Sequence, residues 1–195
     1  MADHPPGLTL RFERALRLAA TGHRDQVRKG TGIPYIEHPV AVAFILDRAG
    51  FDEDLVIAGL LHDLVEDTDV TLDQIRQEFG GAVALIVGVC SEVKLDAEGN
   101  KRPWIDRKRD HLAEVIHATD EVRAVVLADK LHNLTCIRLD LLDGNPVWET
   151  FNAGRDQVLW YYGAMLEACR SEDARLVGLR DQCSALLADF SAPER

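Results

Sequence analysis

Apolar residues recur at helical spacing along nearly the whole chain, and this periodicity confines the fold to the all-α class. Leu10, Ala15, Leu18 and Ala19 alternate with Arg11, Glu13, Arg14 and Arg17, which predicts a first helix over about residues 8–22. Gly30, Gly32 and Pro34 make the stretch from Arg24 to Pro34 a loop. A helix is expected from His38 to Ala49, with Pro39 near its start, where a missing N–H costs nothing. Asp52 is placed to cap another over 52–66. Thr71, with Gln74 three residues on, opens a short helix to Phe79. Ala82 to Val89 is rich in β-branched residues, yet its length and helical neighbours favour a buried helix over a strand. After a polar loop from Lys94 to Pro103, helices are expected over 104–117, 121–142, 147–169 and 173–190. With no repeat, low-complexity segment or linker, residues 1–195 read as one compact helical domain.

No apolar run reaches the roughly 20 residues that span a bilayer. Met1-Ala2-Asp3-His4-Pro5-Pro6-Gly7 lacks a basic segment leading into an apolar one, so a secretory signal is not expected and the cytoplasm is the default compartment. A net charge of -11 disfavours nucleic-acid partners, whose phosphates an acidic surface repels. Cations cluster locally all the same, in Arg24, Arg28 and Lys29 and again in Lys101, Arg102, Arg107, Lys108 and Arg109. Each cluster is either a solvated face or a site for a small phosphorylated ligand. Cys90, Cys136, Cys169 and Cys183 are too scattered for a paired motif and read as small buried apolar residues.

Chemistry concentrates in Leu61-His62-Asp63-Leu64-Val65-Glu66-Asp67-Thr68, a polar string at the end of an apolar helix. Burying adjacent His and Asp there is costly without compensation. In a continuous helix His62 and Glu66 share a face, as do Asp63 and Asp67. Three carboxylates so close repel one another, and a bound cation is the simplest remedy. Pro34-Tyr35-Ile36-Glu37-His38-Pro39 puts another His at a helix start. Val125-Val126-Leu127-Ala128-Asp129-Lys130-Leu131-His132-Asn133 sets a carboxylate in an apolar run.

In order, His38, His62-Asp63 and Asp129 match the H…HD…D signature, so the chain resembles the HD superfamily of all-helical, metal-dependent phosphohydrolases. Arg28-Lys29-Gly30-Thr31, Pro34-Tyr35-Ile36, His62 to Thr68 and Ala128 to Asn133 are similar, more narrowly, to the hydrolase domain of the RelA/SpoT-homologue family. The compact length resembles the small alarmone hydrolases. The likeness runs from about residue 10 to about 165, with a C-terminal helix over about 173–190 beyond it.

That resemblance implies that His38, His62, Asp63 and Asp129 hold one divalent metal ion, and that the ion is Mn2+. Two imidazoles and two carboxylates suit such an ion, although ligand type alone does not select the metal. By the same resemblance Glu66 and Asp67 activate the attacking water, and Asn133 meets substrate or water near the metal. Arg28 and Lys29 would bind base and phosphate, with Tyr35, Arg107, Lys108 and Arg155 as further substrate contacts. His132 reads as structural; His4, His23, His111 and His117 read as surface or packing residues. Among Trp160, Tyr161 and Tyr162, most are expected in the core.

The implied reaction releases pyrophosphate from the 3′ position of guanosine 3′,5′-bispyrophosphate-type alarmones, (p)ppGpp, leaving GDP or GTP. Adenosine analogues, (p)ppApp, and phosphatase action on NADPH or other nucleotides stay open, since Leu134-Thr135-Cys136-Ile137 lacks a basic residue often found there. A nucleotidase acting on 5′-monophosphates or deoxynucleotides and a non-catalytic nucleotide sensor are the other readings. The expected partner is a small-molecule nucleotide, without nucleic acid or membrane, and homo-oligomerisation is left open.

Overall fold

A computed structural model describes residues 8–191. The readings made for Met1 to Gly7, His4 included, lie outside them. The described residues form helices joined by turns, with only isolated bridges, Val27 to Pro34 and Leu95 to Lys101, and no strand. Their contacts divide the chain into two compact units, the first ending at Glu92 and the second beginning at Val93.

The first unit holds α1 (Leu10–Gly22), α2 (Glu37–Arg48), α3 (Glu53–Leu61), α4 (Leu64–Asp67), α5 (Leu72–Phe79) and α6 (Gly81–Cys90). Every residue of α3 from Leu55 to Leu61 is buried, because the segment is apolar all round and can only be central. It packs on α1, α2 and α6. Removing each such Leu, Ile or Val from water is worth about 1.5–3 kcal/mol. Gly59 permits the approach of α2, since a Cβ there would meet Leu46 Cδ1 and, at 3.3 Å, Val42 Cγ1. The caps follow the sequence reading: Asp52 accepts from the Leu55 N–H at 3.1 Å, and Thr71 from that of Gln74 at 3.2 Å. Gln74 turns its side chain to Glu78 at 3.1 Å, so only half of the expected capping box forms.

The second unit holds α7 (Trp104–Ile116), α8 (Asp120–Leu142), a 3₁₀ turn (Val147–Thr150), α9 (Arg155–Ala168) and α10 (Ala174–Ser191). The long α8 packs on α10, and α9 packs on both α7 and α10. Arg123 of α8 ties ends together by donating to the Ile116 carbonyl at 2.9 Å and the Arg170 carbonyl at 3.1 Å. These are terminal carbonyls of the kind a helix leaves without internal partners.

Two predicted helices are each broken once. The segment expected over 52–66 divides at His62 and Asp63, the latter at φ −93° and ψ −8°. The segment expected over 147–169 is interrupted from Phe151 to Gly154, whose ends are extended (ψ 147° and 156°). Asn and Gly are poor helix formers, and the apolar pattern continues through them without registering the break. Tyr161 and Tyr162 are buried and Trp160 is exposed. Cys90, Cys169 and Cys183 are buried, Cys136 half-buried. No described helix is long and apolar enough to cross a membrane.

Candidate active site

In the first unit, the chain turns into α2 through the bonds Glu37 N–H to Pro34 C=O (3.2 Å) and His38 N–H to Tyr35 C=O (3.0 Å). This turn sets Tyr35 and His38 side by side, their rings 5.8 Å apart. From the end of α3 comes His62, whose ring lies 5.2 Å from that of His38; both are buried. The break after α3 then swings Asp63 toward them. One oxygen, Asp63 Oδ2, collects all three neighbours: it accepts from the Tyr35 hydroxyl at 2.6 Å and stands 3.2 Å from His62 Nε2 and 3.5 Å from His38 Nε2.

The tautomer of His62 follows from its other nitrogen. Nδ1 lies 2.7 Å from the Gly59 carbonyl, which can only accept, so Nδ1 carries a proton and, in the metal-binding form of the ring, the Nε2 lone pair faces Asp63. Two electron-rich atoms 3.2 Å apart are reconciled by a shared cation. The spacing suits one, because ligands about 2.1 Å from an ion and at right angles stand about 3 Å apart. His38, His62 and Asp63 therefore fit a divalent metal.

Glu66 and Asp67 lie on α4, a single turn. One carboxylate oxygen of Glu66 accepts from the Glu92 N–H at 3.0 Å, just past the end of α6. The Arg28 guanidinium lies 5.8 Å over the Tyr35 ring, in a loop closed by Arg28 N–H to Ile33 C=O at 2.8 Å; Lys29 is exposed. His23 is buried, with Nδ1 2.7 Å from Gln26 Oε1.

In the second unit, Asp129 sits on α8 beside fully buried Leu127 and Ala128. Its two oxygens accept from Lys130 Nζ and Asn133 Nδ2, both at 2.5 Å. Asn133 thus shares a face with Asp129, as the four-residue spacing requires. Burial works against the charge of Lys130, but the Asp129 carboxylate beside it raises the pKa well above the ordinary lysine value. Two ammonium groups flank the Tyr161 ring, Lys108 at 4.7 Å and Lys130 at 5.5 Å. The Tyr161 hydroxyl meets His111 Nδ1 at 3.0 Å. Arg107 is half-buried on the same helix as Lys108. Arg155 bonds the Phe190 carbonyl and lies 5.7 Å over the Trp148 ring, so in this structure it joins the start of α9 to the end of α10. His132 is buried and touches Cys136 Sγ at 3.5 Å. Lys130 escaped the sequence reading, although a lysine next to an acid within an apolar run is a signal for a buried ion pair.

The HD domain family model matches residues 15–146. Guanosine-3′,5′-bis(diphosphate) 3′-pyrophosphohydrolase MESH1 of Mus musculus is 42% identical over 123 residues, covering 62% of this chain and 65% of that protein. A putative GTP diphosphokinase of Arabidopsis thaliana, RSH1, is 42% identical over 130 residues, 63% of this chain but 15% of its own length. The chain thus spans less than two thirds of each of these relatives. Among solved structures, a metazoan ortholog of SpoT that hydrolyzes ppGpp superposes with a TM-score of 0.74 at 28% identity, over 92% of this chain and 96% of that one. Protein lmo0812 of Listeria monocytogenes gives 0.70 at 35% identity, over 85% of this chain and 100% of the other. With its paired histidines around one aspartate and a family match across most of its length, the chain belongs to the HD domain family.

Proposed function

We propose that the protein is a metal-dependent pyrophosphohydrolase that removes the 3′-pyrophosphate of (p)ppGpp. The observation that carries this reading is the convergence of Tyr35, His38 and His62 on one Asp63 oxygen, with His62 fixed in the ligand tautomer. The activity of MESH1 and of the SpoT ortholog supports the substrate class. The family model, matching residues 15–146, extends from the first compact unit into the second, which supports reading the chain as one HD metallohydrolase domain.

In this reading His38, His62 and Asp63, with Asp129, hold one divalent ion, taken to be Mn2+. Such an ion lowers the pKa of water and neutralises charge on the transferring phosphoryl group. Glu66, one oxygen of which is anchored by the Glu92 amide, orients the attacking water with the other and takes its proton. The water oxygen bonds to the phosphorus on the ribose 3′ oxygen and the P–O3′ bond breaks. Asp67 assists proton transfer to the departing oxygen, so that pyrophosphate and GDP or GTP leave. Asn133 holds Asp129 and contacts substrate or water beside it. Arg28 and Tyr35 offer a face to the base, while Lys29, Arg107, Lys108 and Arg155 bind phosphates. A stacking contact reads the ring face and not its edge, so the same chemistry extends to (p)ppApp, and NADPH is a further candidate. The cytoplasm is the compartment where such a nucleotide would be met.

Incubation with Mn2+ and a panel of nucleotides tests the proposal. Pyrophosphate as product supports it. Orthophosphate alone would make the protein a nucleotidase or NADPH phosphatase, and no product would make it a sensor.

A further inference from the structure

The only turn of α4 carries both Glu66 and Asp67, and four residues cannot hold a helix by themselves. Its shape must come from outside. Gln26, in the loop after α1, donates through Nε2 to the Asp67 carbonyl at 2.7 Å, filling one of the acceptors that a helix C-terminus leaves open. Another carbonyl of that turn, Leu64, takes the Thr68 hydroxyl at 2.6 Å and the Thr68 N–H at 3.0 Å. Gly22, closing α1, lies so near that a Cβ would meet Leu64 Cδ2 at 2.5 Å and Thr68 Cγ2 at 3.4 Å.

Behind Gln26 stands His23, 1% exposed, with Nδ1 2.7 Å from Gln26 Oε1. Since the amide nitrogen of Gln26 is turned to Asp67, its oxygen faces the ring, and only an Nδ1–H can fill it. His23 and the Asp67 carbonyl together fix which way the Gln26 amide points. The backbone of Gln26 is used as well: its carbonyl accepts from the Tyr35 N–H at 2.9 Å, and the His23 and Tyr35 rings lie 4.9 Å apart, tilted by 44°. One short segment thus grips the acidic turn through Asp67 and, through Tyr35, the Asp63 oxygen on which the two histidines converge.

We infer that His23 and Gln26 form a positioning pair that sets the acidic turn of Glu66 and Asp67 in register with Asp63 for the chemical step. Neither residue touches the reacting atoms. The inference rests on the hydrolase reading above. Its distinctive consequence is that the direction of one amide matters, and not merely the volume filled.

Gln26→Glu tests that direction, because it keeps the shape and the bond from His23 but turns a second acceptor toward the Asp67 carbonyl. In the full chain with Mn2+ and ppGpp, kcat is expected to fall on the order of 10–100-fold. KM and bound manganese are expected to stay near wild type, and His23→Ala to add little to Gln26→Ala. An unchanged kcat, or a loss confined to KM or metal content, overturns the pair while leaving the hydrolase intact. Should the variants fail to fold, the two-bond ¹H–¹⁵N spectrum of the wild-type His23 ring still decides, the Nδ1–H tautomer supporting the pair and Nε2–H overturning it. A wild-type protein that turns over no nucleotide defeats the hydrolase reading, and this inference with it.

Discussion

The hydroxyl of Tyr35 donates a 2.6 Å hydrogen bond to Oδ2 of Asp63, the same oxygen that stands within 3.5 Å of both His38 and His62. It is therefore a partner behind a candidate ligand, orienting the carboxylate and spreading its charge. Tyr35→Phe keeps the ring against His23 and His38 and removes only this bond. Manganese affinity should fall about 10–100-fold, as read by titration calorimetry, with the fold retained. An unaltered affinity would show that Asp63 is oriented by other means.

Glu66→Gln keeps an oxygen for the Glu92 N–H but removes the proton acceptor. We expect kcat to drop by ~10²–10⁴-fold with metal content unchanged. Near-normal turnover would assign the base elsewhere, and metal analysis would separate either outcome from a lost ion.

Gly59→Ala inserts a methyl group against the side chain of fully buried Leu46, which must shift to admit it. Overpacking of this kind costs about 1–3 kcal/mol, against about 1 kcal/mol that Ala gains over Gly in a helix. A net loss near 1 kcal/mol is expected, a Tm lower by roughly 2–4 °C in calorimetry. A raised Tm would mean that α2 and α3 relax apart freely.

Asp173 opens α10, and its carboxyl is held down to about 2 from 3.8 by the Arg175 side chain and then by the Arg175 N–H. A lowered folded value stabilises the protein fully above the unfolded pKa, and that contribution disappears as pH falls from near 3.8 through about 2. Both partners are partly solvated, so Asp173→Ala should cost no more than about 1 kcal/mol at neutral pH. Urea melts of the two proteins should converge below about pH 2, where the wild-type carboxyl is protonated in the folded and the unfolded chain.

Burial pushes the thiols of Cys169 and Cys183 up to about 12 from 9.0. At about pH 8 their thiolate fraction is then on the order of 1000-fold below that of an ordinary cysteine. Alkylation by iodoacetamide, followed by peptide mass spectrometry, should leave both unmodified in the folded protein and label both in denaturant. Rapid labelling under native conditions would place these thiols in contact with water.

Local rules made much of this protein legible. The capping of α3 by Asp52 and of α5 by Thr71 needs only a side chain and an N–H three residues on. The apolar stretch from Ala82 to Val89, which its length and helical neighbours mark as a buried helix, lies within α6. The same rules ran straight through His62-Asp63 and through Phe151 to Gly154, because an apolar period persists across a break that packing imposes.

The amino-acid sequence alone determined that the chain is helical and which imidazoles and carboxylates are available, since both depend on residue type and on spacings within one or two turns. Tertiary structure decided how those groups are used. Tyr35 meets Asp63 across 28 positions, and Gln26 reaches the Asp67 carbonyl across 41. No periodicity encodes such pairings, because their geometry exists only after the intervening helices have packed.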